Sequence, residues 1–297
     1  MTTPQNDRFT AAFTVPPLSR LSMFIFCWVI SFLIGSLTVG LIGWSGLTTA
    51  KMRIAMVIQD LFVFIVPAIV TAVVITRRPA DFLMVRRAPR IDAVCLVLLI
   101  IVASAPMMNA IIAWNESLTL PADLAGLSEW MRNAENSARE SMQMLIGGSS
   151  VSSLVATLLI VAVMAGLSEE IFFRGGLQRL LVTYPVNRHL AIWITAFLFS
   201  AVHLQFFGFF PRLLLGALFG YLAVWSGSLW LPIIAHIANN AIAATILWHQ
   251  QQIPSAPSLN DVGVAAGGTP DWGIVVASAL FTAICIAYLY HRLHRRR

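Results

Sequence analysis

The sequence predicts an all-α fold, a polytopic membrane bundle of about eight transmembrane helices, and three observations predict it. Of its 297 residues, 58% are hydrophobic and only 11% charged, and the mean hydropathy is +0.81. The surface of a soluble domain needs far more charge than that. Apolar runs of about 20 residues, the length that crosses a hydrocarbon core, recur along the chain. The basic residues gather at the ends of those runs and in the tail, a pattern that suits a membrane surface and excludes nucleic acid as the partner.

Four runs are clear: residues 21–44, 54–75, 93–114 and 273–290. Between Val151 and Leu247 the sequence is almost continuously apolar, and polar points divide it. A span ending at Leu167, where the charges begin, would leave Glu169 at a membrane face with His203 nearer the middle. A span over 158–184, closed by a turn at 185–188, instead brings Glu169 to mid-depth, level with His203 in a span over 191–210. Spans over 213–225 and 229–247 complete the set and place His236 and Asn240 inside the membrane; local thinning of the bilayer accommodates the shorter one. Residues 115–148 hold five acidic side chains against two arginines, and Leu127, Trp130, Met131 and Ala134 have helical spacing, which predicts an interfacial amphipathic helix.

The organisation is one membrane domain over 21–290, with an N-terminal segment 1–20 and a basic tail 291–297. Arg77, Arg78, Arg86, Arg87 and Arg90 make the loop after the second span the most basic, which assigns it to the cytoplasm together with both termini. Lys51, Arg53 and Arg212 dissent from that assignment. One lysine against eighteen arginines suggests a high-GC bacterial genome, and so a multi-pass protein of a bacterial inner membrane. Cys27, Cys95 and Cys285 lie in apolar runs without the close spacing of a metal knuckle or redox dithiol, and read as packing residues.

Ionisable groups deep in a bilayer cost roughly 2.5–3.5 kcal/mol each at a helix centre, so they mark function by default. Here they concentrate in the C-terminal half. Glu170 and Arg174 are four apart, acid before base, and pair on one helical face. Glu169 is rotated by about 100° and points to another helix. His203 closes the run that begins at Phe199, and His236 and Asn240, again four apart, offer N–H donors to one point. One carboxylate, two imidazoles and one amide on three helices supply a general base, a group to orient it and two donors for a developing oxyanion, a set suited to hydrolysing an amide bond. Asp60, inside the second span, reads as a helix-to-helix hydrogen-bonding group and is left out of the site.

These three motifs resemble those of the CAAX prenyl protease type 2 group, also called the CPBP or Abi family of intramembrane proteases. The family pattern Glu-Glu-x-x-x-Arg, Phe-x-x-x-His and His-x-x-x-Asn, each on its own helix, reads here as Glu169, Glu170 and Arg174, then Phe199 and His203, then His236 and Asn240. The resemblance covers about 151–247 and implies an intramembrane endopeptidase core in that stretch, acting on a membrane-associated peptide or protein. It implies that Glu169 and His203 activate a water, that His236 and Asn240 hold the oxyanion, and that Glu170, Arg174 and Phe199 support them.

Two questions stay open. Glu169, His203 and His236 could supply three ligands to one zinc ion, but the sequence lacks His-Glu-x-x-His and an oxyanion role for His236 removes one ligand; a metal-independent glutamate mechanism is favoured. A non-catalytic immunity or partner-binding role would use the same helices without the chemistry. An ion relay through Asp60 and Glu169 predicts inverted repeats, of which the sequence gives no sign.

Overall fold

The computed structural model describes residues 13–42, 46, 48–183, 187–255, 261–264 and 269–294. Long helices dominate it: α1 (Pro17–Leu41), α2 (Thr49–Ile75), α3 (Ile91–Ala103), α4 (Ala105–Ser117), α5 (Ala125–Ile146), α6 (Val151–Val182), α7 (Arg188–Ala201), α8 (Phe209–Ser226), α9 (Trp230–Gln252) and α10 (Trp272–His294). No β-strand forms among the described residues, only two isolated bridges. Residues 1–12 and 295–297 of the expected terminal segments, Gly43 and Trp44 of the first expected span, Tyr184 at the end of the span over 158–184, and residues 185–186 of the expected turn lie outside the described residues.

The protein is an all-α, multi-pass membrane bundle. Among the described residues six helices are long and apolar enough to cross a bilayer, or seven when α3 and α4 count as one bent span, against the eight expected. The bend between α3 and α4 is 44°. Pro106, in the first turn of α4, lacks an N–H and its ring clashes with the carbonyl four residues back, which breaks a continuous helix.

The expected span over 191–210 is the one that does not form a single helix. α7 has 14 residues, about 21 Å at 1.5 Å per residue, short of the roughly 30 Å hydrocarbon core. Leu204 takes a left-handed backbone conformation, with φ of 53°, so the chain turns there. A 3-10 turn at Phe206–Gly208 leads into α8, which is correspondingly longer than the short span expected over 213–225. Pro211 sits in the first turn of α8, where its missing N–H has no intrahelical partner to lose. Hydropathy alone joins these pieces because the turn residues Val202, Leu204 and Phe206 are themselves apolar.

α6 is the central helix. Its aromatic face, Phe172 and Phe173, packs with Phe24 of α1, Phe64 of α2 and Phe199 of α7 in edge and tilted ring contacts. Its opposite face meets α9, where the helices approach so closely that a Cβ on Gly166 would stand 2.9 Å from Ile237 Cγ1 and 3.2 Å from its backbone nitrogen. The amphipathic helix expected within 115–148 is α5, 22 residues long. Arg53 of α2 explains one of the dissenting charges: its guanidinium donates to the carbonyls of Leu145 and Ile146, which end α5, and to Ser153 and Thr157 of α6. It is held by helix-end carbonyls, which also accept from the Ser153 and Thr157 hydroxyls, rather than by the loop charge balance.

Candidate active site

Glu169 and Glu170 lie in α6 just before a stretch of wider, π-helical winding at Ile171–Gln178, a distortion frequent at functional sites. Being adjacent, they point apart. Glu170 is fully buried and Oε1 accepts from Arg174 Nη1 at 2.6 Å and from His236 Nδ1 at 2.9 Å. Arg174, also fully buried, donates through Nη2 to the carbonyl of Gly216 on α8 at 2.9 Å. One turn on, Gln178 Nε2 donates to the carbonyl of Gly220 at 3.1 Å. Gly220 lets α8 come this close: a Cβ on it would stand 2.7 Å from Gln178 Oε1.

Glu169 faces a different pair. Its Oε2 lies 3.9 Å from His203 Nε2 and 3.8 Å from His236 Nε2. These separations exceed direct hydrogen bonds. The far side of each imidazole is fixed. His203 Nδ1 is 2.7 Å from the carbonyl of Phe199, an acceptor, so Nδ1 carries the proton there. His236 Nδ1 likewise donates to Glu170. Both Nε2 atoms are thereby turned towards Glu169.

Three of the four expected catalytic residues therefore converge: Glu169, His203 and His236. Asn240 is one turn beyond His236 on α9, and its Nδ2 donates to the carbonyl of Val161 at 3.2 Å; no contact joins it to Glu169 or His203 among the described residues. The second amide hydrogen of Asn240 is available to another acceptor. Of the expected supporting residues, Glu170 and Arg174 pair as anticipated, and the Phe199 ring lies 4.5 Å from the Arg174 guanidinium and edge-on to both imidazoles. His203 sits in the turn after α7 rather than inside a helix, with 27% of its side chain exposed against 12% for Glu169 and 6% for His236. The cluster thus opens towards the turn.

Four neighbours of the cluster stand outside the expected site. Phe219 of α8 stacks on His236 with ring centroids 5.0 Å apart. Ser168 and Asp60 form a polar contact between α6 and α2, with the Asp60 carboxyl in electrostatic reach of Glu169. Arg212, tied to Gln205 by a 2.7 Å bond, also acts on Glu169. Asp60 and Arg212 carried a signal as intramembrane charges; Phe219 carried none.

Residues 151–242 match the family model described as Type II CAAX prenyl endopeptidase Rce1-like. This segment is similar to that family. The match bears out the family resemblance read from the three motifs, and every motif residue from Glu169 to Asn240 falls inside it. No curated protein and no solved structure matches the chain. α1 to α5 and α10 lie outside the Rce1-like segment, yet α1 and α2 pack directly on its first helix.

The Glu169 cluster does not fit a zinc ion as its side chains stand. Tetrahedral ligand atoms at 2.0–2.1 Å from zinc lie about 3.3 Å from one another, closer than the 3.8 and 3.9 Å between Glu169 and the two imidazoles. Among the described residues no group of three His, Cys, Asp or Glu side chains is disposed to hold a metal ion.

Proposed function

We propose that the protein is an intramembrane endopeptidase that hydrolyses a peptide bond of a membrane-associated peptide or protein, with Glu169 as the general base. The observation that carries this reading is the convergence of His203 Nε2 and His236 Nε2 on the Glu169 carboxylate, each at just under 4 Å. A water lying among these atoms is within reach of all three. His203, held through its Nδ1 by Phe199, orients that water, and Glu169 removes its proton as oxygen attacks the substrate carbonyl carbon.

The tetrahedral intermediate places negative charge on the former carbonyl oxygen, which needs preorganised donors. Asn240 and His236 are assigned to this role. Glu169 then delivers its proton to the departing amine, and the carbon–nitrogen bond breaks. Glu170 positions His236, and Arg174 holds Glu170.

Water must come from outside the hydrocarbon, and the partial exposure of His203 in its turn supplies the route. The proposed setting is a bacterial inner membrane with both termini cytoplasmic, from the arginines of the loop at 77–90.

The test is cleavage of a membrane-peptide library by purified wild type, Glu169→Ala and His203→Ala in detergent, each with and without a strong chelator. The reading expects cleavage by wild type alone, unchanged by the chelator. Equal cleavage by Glu169→Ala overturns the mechanism. Binding without cleavage in all three favours a partner-binding role instead.

A further inference from the structure

Away from the Glu169 cluster, a groove of about 320 Å³ runs between α3 and α10. Its wall is apolar, formed by side chains such as Leu96, Leu99 and Leu293, and its mouth carries Arg90, Asp92 and Arg292. Arg90 precedes α3 and Arg292 lies in the last turn of α10, so the two helix ends bring both guanidiniums to the same end of the bundle. Asp92 accepts from both: Arg90 Nε at 2.9 Å and Nη2 at 2.5 Å, and Arg292 Nη2 at 2.9 Å.

We infer that this groove binds an anionic phospholipid, with its phosphate on the Arg90–Arg292 pair and an acyl chain along the leucine wall. Two guanidiniums against one carboxylate leave a net positive charge at the mouth. The bonds to Asp92 commit three of the ten N–H donors, and the side chains are 36% and 40% exposed, so the others reach a phosphate. Arg87 of the preceding loop adds a further positive charge, while Arg86 is paired with Asp81. The surface around the groove is apolar and outward-facing, with Ile91 and Ile284 exposed by 77% and 65%, as expected of helices bathed in acyl chains. A soluble anion would gain nothing from that wall, whereas a lipid places its two halves on the two halves of the groove. A zwitterionic headgroup brings a cation that the arginines repel, which sets the preference for a net negative lipid.

The experiment uses the full chain in detergent–lipid micelles with phosphatidylglycerol carrying a diazirine in its acyl chain, against phosphatidylcholine with the same chain. Photo-adducts are mapped by peptide mass spectrometry. Adducts on residues 91–99 and 284–293 are expected to be about fivefold more abundant with phosphatidylglycerol, the preference that one surface charge confers. The excess disappears in Arg90→Gln/Arg292→Gln and survives in Arg90→Lys/Arg292→Lys, which separates loss of charge from loss of fold. Equal labelling by the two lipids in wild type, or an excess unchanged in the double glutamine variant, overturns the inference.

Discussion

Glu170 and His236 are joined by a 2.9 Å hydrogen bond from the imidazole Nδ1 to Oε1, the same oxygen that accepts from Arg174. That shared atom links the fully buried ion pair of α6 to the imidazole that faces Glu169. Breaking a buried pair on one side costs about 3–5 kcal/mol, because the remaining charge is left unpaired. Glu170→Ala is therefore expected to lower stability by that order, with a matching fall in the unfolding temperature in detergent. Adding Arg174→Met should recover more than half of the loss. Additive destabilisation in the double variant would show that the pair is not coupled.

Asn240 is predicted to act on turnover. Asn240→Ala removes a donor to the oxyanion and should lower kcat by about 10² to 10³ with little change in KM. The bond from Asn240 to the Val161 carbonyl at 3.2 Å is lost as well, at about 1–3 kcal/mol of stability. A rise in KM with kcat unchanged would place Asn240 in substrate binding instead.

Gly166 sets the distance between the helices that carry Glu169 and His236. A leucine there must push Ile237 and its backbone away, and a displacement of about 1 Å at a reacting group costs about 10² in rate. Gly166→Leu should thus lose activity while still inserting and folding as a helical membrane protein, measured by circular dichroism and cleavage rate together. Wild-type activity in this variant would contradict the close approach of α6 and α9.

Arg53 is expected to matter for stability alone. Arg53→Met removes the charged donor from the Leu145 and Ile146 carbonyls, which keep the Ser153 and Thr157 hydroxyls, and from Ser153 and Thr157 themselves; at about 1.5–3 kcal/mol for a hydrogen bond to a charged group the loss should exceed about 2 kcal/mol. Thermal unfolding in detergent reads it directly. An unfolding temperature equal to wild type would mean that α5 is held by other contacts.

What the sequence made legible follows from periodicity. Glu170 and Arg174 pair because helical residues four apart are neighbours, and that spacing is visible in the chain itself. The membrane class follows from hydropathy. The bond between Glu170 and His236 was hidden, because 66 residues separate them and no local rule joins two helices at a given rotation. The span at 191–210 was misread because its break rests on the left-handed Leu204, a leucine with no turn chemistry of its own. The bend at Pro106 could have been found, since proline is a reliable interrupter. Asp60 was noticed, but its placement beside Ser168 depends on how α2 packs on α6, which hydropathy does not carry.

The central claim is that Glu169 activates the water that cleaves the peptide bond. Its most direct test is the single-turnover cleavage rate of Glu169→Gln on a peptide that the wild type cuts, alongside its unfolding temperature. Glu169 Oε2 has no hydrogen-bond partner among the described residues, and the amide keeps the carboxylate's shape, so stability is expected to stay within about 1 kcal/mol of wild type. The rate is expected to fall by at least about 10², the lower end of what a positioned base contributes. A stable Glu169→Gln that cleaves at the wild-type rate would contradict the mechanism and move the base to another residue.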